Sequence, residues 1–138
     1  FIPTSEGIGI GRAMKSDRQQ IVAVVVALDG WFTMDHKKRI AEYDRRISTI
    51  EQAARGVPGV ETDIYWSNDT FHGSFLTIKL DAGTLQKDAK QIKTEMYEGD
   101  PSILIATPDT ETLLIWAYTL YGDEDRIIAD RLNAVLRS

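Results

Sequence analysis

Residues 60–81 have the sequence VETDIYWSNDTFHGSFLTIKLD, and this stretch decides the fold class. Its two ends, residues 60–67 and 75–81, are rich in β-branched and aromatic side chains, which favour strands. Between them, Asn68, Asp69 and Gly73 are residue types that form connecting loops. We therefore expect two neighbouring antiparallel strands.

Toward the C-terminus the pattern changes to a helix, two strands and a helix. Thr84 is a suitable cap for a helix over residues 84–97, which residues 99–101 (GDP) should end. Residues 102–106 and 112–117 are two further predicted strands, joined by a turn at Pro108. The last helix is predicted over residues 123–137, where acids occupy its first turn and Leu132 lies on the apolar face.

Toward the N-terminus two helices are predicted. Ser16 and Asp17 form a predicted N-cap for a helix that contains eight consecutive apolar residues, 21–28, and such a run predicts burial on most sides. The β-branched composition of the run also allows a strand, but the cap and the Asp29–Gly30 stop favour a helix. A second helix over residues 35–55 has an apolar stripe at helical spacing, made by Ile40, Tyr43, Ile47, Ile50 and Ala54.

This order of segments predicts the α+β class, with an antiparallel sheet of three to four strands and helices packed on one face. We expect residues 1–15 to form an extended lead-in and residues 16–138 to form a single domain. The chain begins at Phe1 rather than Met, and its first residues are Gly-rich. We therefore expect a piece of a longer protein.

Composition excludes several classes of site. The 138 residues contain no cysteine and only two histidines, His36 and His72, so disulfides and thiolate metal sites are excluded and no metal is expected. The net charge of −5 makes nucleic acid an unfavourable partner. No apolar run approaches the ~18 residues of a membrane span, so we expect no membrane partner and a cytoplasmic protein.

The candidate binding residues are Arg12 and Lys15. They lie just before a predicted helix start and beside Gly7, Gly9 and Gly11, whose alternation lacks the spacing of a dinucleotide-binding motif. Free amides and cations converge at such a place, which suits a phosphate or carboxylate. Spacing alone favours two solvated charges, so the binding role is the alternative.

No catalytic residue emerges from the sequence itself. The acidic run at residues 123–125 is better explained by the helix dipole than by a metal. Neither histidine has a local partner, and no lysine has an evident desolvated setting that would lower its pKa for Schiff-base chemistry. The tryptophans, Trp31, Trp66 and Trp116, are expected in the core.

Four motifs, taken in order, resemble the selenocysteine synthase-like branch of the fold-type I pyridoxal-phosphate enzymes. Residues 9–15 (GIGRAMK) resemble its "IGR-x-MK" segment, which precedes an apolar helix. Residues 56–60 (GVPGV) resemble "GLPGV", and residues 98–103 (EGDPSI) resemble "EGDPPI". Residues 121–132 (YGDEDRIIADRL) resemble the "PGEEEIIARRL" ending.

The resemblance implies the C-terminal small domain of a pyridoxal-phosphate-dependent lyase or transferase. In such enzymes a preceding large domain carries the Schiff-base lysine and most phosphate ligands, so the resemblance implies no catalysis and no cofactor in the isolated chain. The large domain of the parent chain is the implied partner, in a homo-oligomer. One departure concerns an arginine that relatives often place where this chain has Ala106 and Thr107.

A second function stays open at this point. Two strand pairs alternating with helices could also form a stand-alone α+β module that binds a ligand or mediates regulatory dimerisation. Such a module predicts a cooperative unit that folds in isolation.

Overall fold

The computed structural model describes residues 17–66 and 73–138. The proposed lead-in, residues 1–15, and most of the predicted hairpin loop lie outside the described residues. The chain divides into two compact units, residues 1–35 and 36–138.

In the first unit, helix α1 spans Arg18–Thr33. Of the two predicted cap residues, Asp17 caps it: its carboxylate accepts from the Gln20 backbone N–H at 2.7 Å, and the Gln20 side chain accepts from the Asp17 N–H in return. The helix continues through Gly30, beyond the predicted stop. The prediction that α1 is buried on most sides is wrong, because none of its residues is buried.

In the second unit, the described residues form a three-stranded sheet in the order β1-β2-β3, with β1 at Val60–Tyr65, β2 at Phe75–Leu80 and β3 at Thr112–Trp116. Both pairings are antiparallel, and they align Tyr65 with Phe75 and Phe75 with Trp116. The predicted hairpin and the α+β class are thus confirmed.

Helices α2 (His36–Ala54) and α5 (Glu124–Arg137) pack against each other beside the sheet. Their predicted apolar stripes supply Ile47, Ile50 and Leu132, which are fully buried with Leu76 and Ile78 of β2. Of the acids in the α5 first turn, Asp125 takes part in this packing: it is 1% exposed and accepts a hydrogen bond from Arg45 of α2 at 3.1 Å.

The helix predicted over residues 84–97 is two helices, α3 (Ala82–Leu85) and α4 (Ala89–Tyr97). Thr84 is not the cap. Asp81 caps α3, and Asp88 forms a reciprocal capping box with Gln91 that starts α4 anew. The chain turns between the helices at Gln86, whose φ is 57°.

The strand predicted over residues 102–106 does not form. Only Ala106 bridges β3, by accepting from the Leu114 N–H at 2.8 Å. The other end of the segment is held by α4 instead, because the Ile103 N–H donates to the Met96 carbonyl at 3.0 Å. This bond takes the donor away from the sheet, which therefore has three strands in the described part of the chain.

Candidate functional site

The sheet has one face covered by helices and one open face. Strand alternation places Leu76, Ile78 and Leu80 of β2 inward, where they are buried. The opposite side chains of β2 and their register partners form the open face.

An aromatic row crosses the three strands at one end of this open face. The rings of Tyr65 and Phe75 stack with centroids 5.0 Å apart, and the Phe75 and Trp116 rings lie 6.5 Å apart. Tyr65 is 61% exposed and Trp116 is 38% exposed. Aromatic side chains that contact each other and remain exposed to solvent are typical of a surface that binds another domain or protein.

The first cleft, of about 440 Å³, lies beside the free edge of β3. Because the segment after Pro101 meets β3 only at Ala106, the strand beyond Leu114 has no neighbour on that side among the described residues. The cleft is mostly apolar. Its lining consists of Lys93, residues 103–106, residues 114–116, residues 118–120 and Ile128.

A second cleft, of about 430 Å³, lies on the other side of the same segment. Most of its lining surface is apolar as well, but every lining side chain carries a polar group: Lys90, Lys93, Thr94, Tyr97, Thr107, Asp109 and Thr110. Lys93 lines both clefts, whereas Ala106 lines the first and Thr107 the second. The two residues at which this chain departs from the expected arginine are therefore flanked by a lysine.

The charged side chains among the described lining residues of the second cleft are Lys90, Lys93 and Asp109. Lys93 is half-buried and forms no hydrogen bond or ion pair with any residue that the structure describes. The backbone N–H of Glu111, followed by the hydroxyl of Thr112, lowers the pKa of Asp109. The groups that lower this pKa thus belong to the turn of Asp109 itself, and neither lysine is among them.

The described lysines offer no enclosed amine. Lys37, Lys38, Lys79 and Lys90 are exposed, and Lys87 and Lys93 are half-buried. The ammonium of Lys87 is bonded to Glu95 at 2.8 Å and to the Ser138 hydroxyl at 2.6 Å.

The residues singled out in the sequence fall into two groups. Arg12, Lys15 and His72 lie outside the described residues. His36 is half-buried, and its Nδ1 accepts from Arg39 at 3.3 Å. Within residues 17–66 and 73–138, no three His, Asp or Glu side chains converge to hold a metal.

Sequence reasoning missed the open face. Trp66 and Trp116 were expected in the core but are 52% and 38% exposed. The available signal was strand parity: Trp116 follows Leu113 and Ile115 at odd spacing, so it points away from the face that these two bury. Lys93 carried no sequence signal, because its lack of a partner depends on the tertiary fold.

The described part of the chain contains no helix that is long and apolar enough to cross a membrane.

Of the comparisons with known proteins, only the comparison of structures gives a match. No protein-family model matches the chain, and no curated protein sequence matches it. Among solved structures, the chain is similar to D-glucosaminate-6-phosphate ammonia-lyase, with a TM-score of 0.65 and 19% identity over 94% of this chain. The chain spans 34% of the length of that structure. At this identity the likeness shows the fold: the α+β arrangement described above is also that of one part of a larger protein.

Proposed function

We propose that this chain is the C-terminal small-domain portion of a pyridoxal-phosphate-dependent lyase or transferase related to selenocysteine synthase, and that it is not catalytic alone. The observation that carries the proposal is the structural match, which extends over 94% of this chain but only 34% of an ammonia-lyase. It agrees with the four motifs, whose relatives include ammonia-lyases acting on amino-sugar acids.

The described motifs lie where they would direct the fold. Residues 56–60 form the turn from α2 into β1, residues 98–103 follow α4, and residues 121–124 lead into α5. A turn sequence is constrained by backbone conformation, so three such turns in order support a common architecture.

Elimination on a small amino acid is the reaction class we favour. The structural relative is named as an ammonia-lyase, and the net charge of −5 makes a tRNA substrate less suitable. Ala106 provides no cation for a substrate carboxylate, so the usual arginine clamp is not assumed for the parent enzyme.

The described residues do not by themselves fit pyridoxal phosphate. The cofactor needs a lysine in an enclosed, desolvated site, and the described lysines are exposed or half-buried on open clefts. We therefore assign the Schiff-base lysine to the large domain of the parent chain and derive no reaction step from this chain.

Both units have apolar surfaces that a larger partner would cover. In α1, Val22, Val26 and Phe32 are 60%, 65% and 77% exposed. In the second unit, the aromatic row lies open on the sheet. A helix that is apolar on all sides is typical of a buried helix, and exposed patches of this kind mark interaction surfaces. The large domain and a second subunit are the partners we propose.

Borohydride trapping of the full-length parent protein tests the proposal. Reduction in the presence of pyridoxal phosphate should leave the pyridoxyl group on a lysine outside this chain, located by peptide mass spectrometry. The isolated chain, treated in the same way, should remain unlabelled. A label on any lysine of this chain would contradict the assignment, and a parent protein that binds no pyridoxal phosphate would contradict the enzyme class.

The stand-alone module makes a different prediction for the isolated chain. It should unfold cooperatively as a defined dimer, whereas a fragment whose exposed apolar surfaces belong against a large domain should self-associate without a fixed stoichiometry. Sedimentation equilibrium at several concentrations separates the two.

A further inference from the structure

The second cleft is locally cationic on an acidic protein. The chain has a net charge of −5, yet Lys90 and Lys93 face this cleft with Asp109 as the one carboxylate among its described lining residues. Two lysines against one carboxylate leave a net positive charge on this concave surface, which favours an anionic ligand.

The fold holds Lys93 at this place through its helix. Ile92 and Met96 of α4 are fully buried, so they anchor the helix against the core and fix the side on which Lys93 emerges. Ile103 is hydrogen-bonded to α4 through Met96 and lines the first cleft with Lys93. The methylene stem of Lys93 thus has apolar neighbours, and its ammonium is left for a ligand.

Lys87, by contrast, is a half-buried lysine of the same unit whose ammonium has hydrogen-bond partners within the protein. Lys87 donates to Glu95, to the Val135 carbonyl and to Ser138, at distances between 2.6 and 3.2 Å. Lys93 is half-buried too, but it lacks every such contact with the described residues.

Hydroxyl groups complete the set of possible donors. Thr107, Thr110 and Tyr97 line the same cleft as the two lysines. A phosphate group has three strong acceptor oxygens, and lysine serves as a point charge for it. A carboxylate would use fewer of these donors.

We propose that the cleft at Lys93 binds the phosphate group of a small ligand, with Lys93 as the principal cation and the hydroxyls of Thr107 and Thr110 as further donors. This site goes beyond the proposed function, since it needs neither the large domain nor pyridoxal phosphate. Its failure would leave the enzyme class untouched.

The test is a titration of the ¹⁵N-labelled chain with inorganic phosphate, observed by ¹H–¹⁵N correlation spectra at constant pH and ionic strength. We expect saturable shifts of the Lys93, Thr107 and Thr110 amides, and none with acetate or chloride. A parallel titration with glycerol 3-phosphate distinguishes a phosphate ester from free phosphate: tighter binding of the ester indicates an ester ligand, and equal binding indicates free phosphate.

Lys93→Gln should weaken phosphate binding at least tenfold, and Lys93→Arg, which keeps the charge, should retain most of it. Lys79→Gln is the matched control, because Lys79 is an exposed lysine on β2 outside both clefts. Shifts that do not saturate, an equal response to acetate, or the same affinity in Lys93→Gln and Lys79→Gln would each overturn the proposal. If Lys93→Gln fails to fold, Thr107→Val replaces it and should weaken binding several-fold; unchanged affinity would overturn the site.

Discussion

Replacing Gly59 by alanine should disrupt the turn that carries the chain from α2 into β1. Gly59 has φ of +79°, and its carbonyl accepts the Asp81 N–H at 2.8 Å. A Cβ at this position would lie 2.8 Å from the Thr84 Cβ and 3.2 Å from the Leu85 Cγ. Gly56, in the same turn, has φ of +77° but open space around its own Cβ position.

The two glycines therefore separate backbone strain from steric overlap. A positive φ costs an alanine about 1–2 kcal/mol, and this is the whole penalty expected for Gly56→Ala. Gly59→Ala adds overpacking against Thr84, which costs about 1–3 kcal/mol in a packed region. We expect destabilisation of about 1–2 kcal/mol for Gly56→Ala and about 2–5 kcal/mol for Gly59→Ala.

Urea unfolding followed by far-UV circular dichroism measures both variants against the parent sequence. The difference between them is the informative quantity, since the loss of glycine's backbone freedom in the unfolded chain is common to both. Equal unfolding free energies, within about 0.5 kcal/mol, would refute the contact between this turn and α3.

Three further predictions follow from the packing and from the resemblance. Arg45, followed by Arg46, donates hydrogen bonds that lower the pKa of Glu42 from 4.5 to about 2. The ionised Glu42 therefore stabilises the fold above pH 4.5, and this stabilisation is lost as the pH falls toward 2. Thermal melts of Glu42→Gln should therefore approach those of the parent sequence over that window, and a constant difference would contradict the ion pair. Leu132→Ala, at a fully buried position of α5, should cost about 2–5 kcal/mol in urea unfolding; a cost below about 1 kcal/mol would contradict its burial in the core. In the full-length parent, Arg12→Ala should weaken ligand or cofactor binding by one to two decades if Arg12 makes a charge-assisted contact of about 1.5–3 kcal/mol, whereas unchanged affinity would indicate a solvated charge.

Local patterns predicted the elements whose stability is local. The N-cap of α1 and the apolar stripe of α2 depend on residues within one or two helical turns of each other, whose spacing the helix itself imposes. The β1–β2 hairpin was predictable for a similar reason, because two β-rich runs separated by a short loop pair with each other before any distant strand.

The sequence could not show which of several competing hydrogen-bond partners a backbone or capping group would take. The segment after Pro101 has the composition of a strand, but the Ile103 N–H bonds to α4 while only Ala106 reaches β3. Thr84 is a good capping residue, yet Asp81 and Asp88 cap the two helices. In each case the residue type allowed the predicted structure, and a neighbour with a better-placed acceptor decided otherwise.

The candidate site was beyond sequence reasoning for a related reason. A lysine on a helix is solvated by default, and only the tertiary fold shows that Lys93 lines two clefts with no described partner. The aromatic row likewise requires the register of three strands, since Tyr65 and Trp116 are 51 positions apart and meet only through Phe75.

The apolar run of α1 is predicted to be buried, but the structure leaves it exposed. Eight consecutive apolar residues predict a helix that is buried on most sides, and α1 has the predicted cap and helical conformation but no buried residue. A helix with this composition gains little from its own turns and is stabilised mainly by packing. The composition of α1 therefore calls for a partner surface that its own unit does not provide among the described residues. A large preceding domain would supply that burial within one chain, whereas a stand-alone module would need a second copy, so the partner of α1 decides between the two functions.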